Sequence, residues 1–379
     1  MLVAGIIGVV AAIFLDSTPD KKLFWGAYHY GFIFWMTLTL GCTTLTFLHH
    51  TIRAQWSLSL LRIVEAGNKT LWLMGLLFLP IAITTVFFQG IFPWANDAFR
   101  LQLHVNKQTW LNPYAWLGRA VFYFAVWIFT TRRMNKSSLA QDTSLDENLA
   151  ERRRSEAAPL GVLHVILLTF AMTDWLMSLN PGWLSTLYGA WHMTTGVLAT
   201  ISFGTVLILS MRDRRPFSDA VNPVLTKDLG NMMLGFTMIF GYFTLSQFLI
   251  IWSGNLPEEI VFFVQRFEGP LVFVGLAIVV CQFFGPFLAL LSGKAKRTPE
   301  LLIKVAAWIF FFRIVDIWWQ VLPFFKSASQ LWSIWMDLGA FLLVGGVWIV
   351  AFVRNLKQHS LLPLHDSRLQ ETKAALEAH

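Results

Sequence analysis

Residues 159–211 read PLGVLHVILLTFAMTDWLMSLNPGWLSTLYGAWHMTTGVLATISFGTVLILSM. Two apolar runs, 159–179 and 184–211, are parted only by Asn180-Pro181-Gly182-Trp183, and Asp174 is the one Asp, Glu, Lys or Arg in the stretch. A helix needs about 20 apolar residues to cross a hydrocarbon core of about 30 Å. The stretch therefore predicts two membrane crossings joined by a tight turn. Working outward, the same pattern recurs near 2–15, 27–50, 70–90, 112–131, 228–252, 269–292, 299–322 and 331–353, which makes ten predicted spans. The first is short, because its residues rise only about 21 Å at about 1.5 Å each.

Composition agrees with this reading. Of 379 residues, 56% are hydrophobic and 13% charged, whereas a soluble domain carries roughly 25% charge. That excludes an ordinary soluble globule. The net charge of +7 does not point to nucleic acid, because the basic residues lie in short loops between apolar runs and not on one domain face. Cys42 and Cys281 stand alone in apolar segments and supply neither a disulfide framework nor a thiolate cage.

The loop charges set an orientation. Of 29 Lys and Arg, 20 fall in the even-numbered loops and the C-terminal tail. Six fall in the odd-numbered loops, and Arg119, Lys304 and Arg313 lie within spans. By the positive-inside tendency the even loops and both termini are cytoplasmic, as in a multi-pass protein of the bacterial inner membrane. Trp25, Trp94, Trp110, Trp183, Trp252, Trp319 and Trp332 fall at the opposite, periplasmic ends, where indole rings suit the headgroup zone. The loop 132–158 has no apolar pattern and carries Arg132, Arg133, Lys136 and Arg152 to Arg154 around the acidic stretch Asp142 to Glu151. It reads as a solvated linker, with a docking arm for a cytoplasmic or anionic-lipid partner as the alternative.

An internal duplication organises the spans. Gly26-Ala27-Tyr28-His29 matches Gly189-Ala190-Trp191-His192, and Asp174 and Asp316 each stand seven residues before a proline, Pro181 and Pro323. One insertion, in the loop before the fifth span, reconciles the two offsets. The expected fold is an all-α polytopic membrane protein of two parallel-repeat four-helix bundles, spans 2–5 and 6–9, flanked by spans 1 and 10. The corresponding divisions are 1–26, 27–180, 181–325 and 326–379.

An ionisable side chain within a span is a functional-site candidate unless it snorkels or pairs. Asp174 and Asp316 lie just inside the periplasmic boundary, and Arg313 shares a helix face with Asp316. Tyr188 and His192 share a face of the sixth span. Tyr242, Ser246 and Gln247 lie in the periplasmic half of the seventh, Arg119 and Tyr123 in the fourth, and Asp337 in the tenth. A wet periplasmic cavity accounts for the clustering, and self-satisfied hydroxyls and structural ion pairs are the plainer account. On the cytoplasmic side, Arg62 and Glu65 form either an interfacial ion pair or the start of a proton path. A haem held by His49 or His50 with His164 is disfavoured, and no Cys-x-x-Cys-His is present. Pro257-Glu258-Glu259 reads as the first turn of a short surface helix.

The stretches 174–189, DWLMSLNPGWLSTLYG, and 246–259, SQFLIIWSGNLPEE, closely resemble the second large membrane subunit of bacterial alternative complex III, of the wider polysulfide-reductase type. Arg62, Glu65 and Phe78-Leu79-Pro80-Ile81 add to the likeness, which covers roughly residues 24–350. The resemblance implies a subunit of a quinol:electron-acceptor oxidoreductase in which c-type haems and iron–sulfur clusters belong to partner subunits. It also implies a sister membrane subunit that carries the better-supported quinol site. By motif it points to Asp174, Ser185 and Tyr188; His192 rests on the repeat and on its depth.

Three functions compete. The first is proton movement through a periplasmic half-channel, with Asp174 and Asp316 as stations, Arg313 tuning Asp316, and Tyr188, His192, Tyr242, Gln247 and Glu65 extending the path. The second is a quinone site using His29, His192 and Asp174. The third is a scaffold or a permease. No metal site and no cofactor bound by this chain is expected.

Overall fold

The computed structural model describes residues 1–52, 56–144, 146, 148–219 and 221–363. Among these the regular structure is helical throughout. The principal helices are α1 (Leu2–Leu15), α2 (Lys22–Thr51), α3 (Leu58–Asn68), α4 (Leu71–Phe87), α5 (Pro113–Ala140), α6 (Asn148–Trp175) and α7 (Tyr188–Ser210). They continue with α8 (Pro223–Gly254), α9 (Pro257–Phe267), α10 (Leu271–Ala277), α11 (Gly285–Leu291), α12 (Pro299–Val321) and α13 (Ile334–Leu356). A π-helical segment, Ile278–Phe284, joins α10 to α11 without a break.

Seven helical stretches among the described residues are long and apolar enough to cross a membrane, which makes this a multi-pass helical membrane protein. They are 19–51, 58–87, 148–179, 188–210, 223–254, 271–291 and 328–356. α5 and α12 have the length but carry Arg119, and Arg313 with Asp316, in their interiors. α1 is apolar but only 14 residues long.

Burial grades the helices from axis to rim. The spanning window of the stretch that contains α2 is 89% buried, against 22% for α8 and for the α10–α11 stretch. α2 is the axial helix and packs against α3, α6, α7 and α13. It meets α7 at backbone distance. A Cβ on Gly196 would stand 2.8 Å from the Thr37 carbonyl oxygen, and one on Gly41 would run into the Gly196 carbonyl. Small residues permit this approach, which is how helices gain contact where lipid supplies no hydrophobic drive. α1 lies along α13 by the same device, with Gly8 against Gly339.

Three expectations need correction. The 132–158 segment is not a free linker, because α5 runs on to Ala140 and α6 starts at Asn148. The extensions hold each other: Arg133 grips Glu156 at 2.8 and 2.7 Å, and Arg153 donates to the Ser137 carbonyl at 2.8 Å. The second loop is in part the buried helix α3, whose Leu58, Leu60, Leu61, Ile63 and Val64 all pack inside. The tryptophan belt is partly internal. Trp94, Trp183 and Trp319 are buried, and Trp252 and Trp332 are exposed. Arg53 and the tail beyond 363, both counted for orientation, lie outside the described residues.

Candidate functional site

Asp174, in the last turn of α6, is fully buried. Arg119 of α5 grips it with two parallel bonds, Nε to Oδ2 and Nη2 to Oδ1, both 2.8 Å. Trp110 Nε1 donates to Oδ1 at 2.9 Å and the Tyr123 hydroxyl to Oδ2 at 2.8 Å. The Trp110 ring also lies 4.1 Å from the guanidinium carbon. Four donors converge on two oxygens, so the geometry is that of an acceptor-only carboxylate with its lone pairs engaged. Asp174, expected as a proton station, is thus held by three side chains, of which Arg119 and Trp110 reach the surface.

Asp316, one turn before the end of α12, is also buried, but its surroundings differ. Gln320, four residues on, donates to Oδ2 at 2.8 Å, while Arg313 Nη1 stands off at 3.4 Å. Arg313 is drawn elsewhere. Its guanidinium stacks 3.8 Å from the Phe240 ring and its Nη1 reaches Thr195 Oγ1 at 3.4 Å. With the Gln282 amide turned so that its oxygen faces the guanidinium, that oxygen accepts from Nε at 3.0 Å and Nη2 at 3.2 Å. Gln282 belongs to the π-helical segment, whose extra residue per turn alters which side chains face inward; π-bulges recur at functional sites.

Above Asp316 the site is underbonded. The Tyr188 hydroxyl, both ring nitrogens of His192 and Gln320 Oε1 are buried without a hydrogen-bond partner. Tyr188 and His192 touch edge to face, with centroids 4.5 Å apart. Gln320 lies beside the His192 ring without closing a bond of standard geometry. A small void flanks His192 against Thr37, Gly41, Met172 and Gly196, and it has no room for a water molecule. The residues expected to line a wet cavity form a buried polar cluster. Buried polar atoms are rarely left unpaired in a native protein.

Arg266 of α9 is a residue of this site that no sequence pattern singles out. It is fully buried and donates to the carbonyls of Phe262 at 2.6 Å, Trp319 at 3.2 Å and Gln320 at 2.5 Å. The last two are orphan carbonyls at the end of α12, so the guanidinium caps that helix where its dipole favours a cation. Burial pulls Arg266 down to about 9, and Tyr188 nearby raises it only in part. Lys326 makes 2.7 Å contacts to both oxygens of Asp337, which also accepts from Trp318 Nε1 at 2.9 Å. Burial lowers the Lys326 ammonium, against the pull of Asp337.

The remaining predicted residues disperse. Tyr242 points outward from α8, two-thirds exposed and apart from the cluster. Gln247 is buried and accepts from the Ser185 hydroxyl. His29 donates from Nε2 to the Trp175 carbonyl at 2.8 Å, which leaves Nδ1 as the unpartnered acceptor. Its ring is covered by Phe92 and Phe325, which also line an open groove of about 270 Å³. Glu65 is buried. Arg62 holds it at 2.6 Å and reaches Asp142 at 2.5 Å and Ser138 at 3.3 Å.

Beside Glu65 runs a polar seam that the sequence does not reveal. Asn135 donates to Asn68 at 2.6 Å, Asn68 to Thr46 at 2.9 Å, and Thr39 and Thr70 pair at 3.3 Å. His164 bonds Thr44 at 2.9 Å, and His49 bonds Ser57 at 2.6 Å. Among the described residues no group of three His, Cys, Asp or Glu converges to hold a metal ion. No protein-family model matches the chain, and no curated protein is significantly similar to it.

Proposed function

We propose that this chain is an inner-membrane subunit of a quinol:electron-acceptor oxidoreductase and moves protons through the periplasmic half of its second helical unit. In this reading ten crossings form two related four-helix units with flanking helices, and both termini are cytoplasmic. The observation that carries it is the underbonded cluster of Tyr188, His192, Asp316 and Gln320. A proton relay needs groups that can both give and accept a hydrogen bond, with lone pairs not already committed. Asp316 with Tyr188 and His192 supplies such groups. Arg313, withheld by Gln282, tunes the carboxylate without locking it. Asp174 then serves as a structural clamp, and Glu65, whose Oε1 is left unbonded beside Arg62, starts the cytoplasmic leg. Quinol oxidation belongs to a sister membrane subunit, and haem c and iron–sulfur clusters belong to other partners.

The test is proton release per quinol oxidised by the assembled complex carrying Asp316→Asn. Release falls at least severalfold while the complex still assembles; unchanged release removes the reading.

A second reading has its own observation, the groove above His29. There Nδ1, fixed as an acceptor, could take a proton from a quinol hydroxyl once the Phe92 and Phe325 rings part. His29→Gln would then weaken quinone binding to this chain, whereas a proton path through Asp316 predicts no change.

A further inference from the structure

The periplasmic half holds the sealed and underbonded carboxylates, but the cytoplasmic rim of α5 carries a feature that the proton pathway does not use. The outward stripe of this helix is apolar down to Phe129, with Phe122 and Phe129 more than half exposed. It then turns basic at Arg132, Arg133 and Lys136, all exposed. With Ala125, Ile128 and Phe129, the three basic residues line a shallow open groove of about 430 Å³ along this one face of α5. Arg133 is committed by its Nε and Nη2 to Glu156. Neither Arg132 nor Lys136 forms an ion pair among the described residues. The groove thus presents three cations against one carboxylate, at the depth where an apolar helix face gives way to water.

We propose that this groove binds one acidic phospholipid, its phosphate between Arg132 and Lys136 and its acyl chains along Phe129 and Phe122. Charge complementarity selects the class. Two uncompensated cations favour a headgroup with net negative charge over a zwitterionic one, and each basic residue near a membrane surface adds measurably to that preference. The apolar stripe selects a lipid over a free anion, because inorganic phosphate gains nothing from Phe129. Glu156 restrains the affinity by engaging Arg133. This site is independent of the proton pathway.

The test uses the full chain in detergent, titrated with dioleoyl phosphatidylglycerol, dioleoyl phosphatidylcholine or inorganic phosphate, with bound lipid counted by native mass spectrometry and thermal unfolding followed in parallel. The wild type retains phosphatidylglycerol at least about tenfold more tightly than phosphatidylcholine. Arg132→Gln with Lys136→Gln brings the two lipids level, and Arg154→Gln, outside the groove, leaves the preference intact. Because the double variant could alter folding, Glu156→Gln provides the opposite sign: it frees Arg133 and tightens phosphatidylglycerol binding severalfold. Equal retention of the two lipids by the wild type overturns the proposal. So does protection by inorganic phosphate at matched concentration, or a Glu156→Gln chain that binds no tighter.

Discussion

Asp174 and Asp316 stand at the same distance before a proline near the C-terminal ends of α6 and α12, and both are buried. The first accepts four hydrogen bonds from three side chains of neighbouring segments. The second accepts one, from a glutamine on its own helix, and faces an arginine that is held back. Position +4 shows the divergence in miniature. Ser178 turns its hydroxyl onto the Asp174 backbone carbonyl at 2.6 Å, whereas Gln320 reaches the Asp316 carboxylate. The contrast teaches that an acid in a membrane helix is not by itself a site. Its partners decide whether it fastens helices or remains available for chemistry.

The contrast can be broken by substitution. The largest effect is expected at the clamp. Asp174→Ala strands the Arg119 guanidinium together with the Trp110 and Tyr123 donors, and loss of one partner of a buried pair costs about 3–5 kcal/mol. Thermal unfolding in detergent should show either a large fall in midpoint or no folded protein. A fall no larger than that of Asp316→Ala would erase the distinction between the two acids.

Asp316→Asn should cost about 1–2 kcal/mol, since Gln320 can still pair with the amide and Arg313 keeps Gln282, Thr195 and the Phe240 face. The same measurement, run beside the proton-release assay, separates function lost with stability kept from general damage.

The tyrosines sharpen the comparison further. Tyr123→Phe removes one of the four bonds to Asp174 and should cost about 1 kcal/mol, read as a shift in unfolding midpoint. Tyr188→Phe removes a hydroxyl that makes no bond, so it should cost less than about 0.5 kcal/mol and can stabilise, because an unsatisfied buried polar group is removed. If the two substitutions destabilised equally, the Tyr188 hydroxyl would have a partner in the working protein.

Much of the frame is legible in the sequence. Helices stand at each predicted apolar run because hydropathy and length dictate them, and the pairing of Arg313 with Asp316 follows from spacing of three on one helix. Gln320, four residues beyond Asp316, is legible by the same rule. The Arg119–Asp174 grip joins residues 55 apart, and Gln282 reaches Arg313 only through the π segment; neither has a local signal. The segment 132–158 reads as a linker because polar helix extensions that pair with each other show no apolar period.

Sequence alone determined that this is a helical membrane protein, which residues carry charge into its spans, and that two acids sit near one face. Those follow from transfer energies and from the 3.6-residue turn, which act on each segment separately. Which acid is saturated and which is left short of partners was decided by tertiary packing. Hydrogen-bond satisfaction depends on side chains brought from several helices to within about 3 Å, and a linear pattern does not encode that convergence.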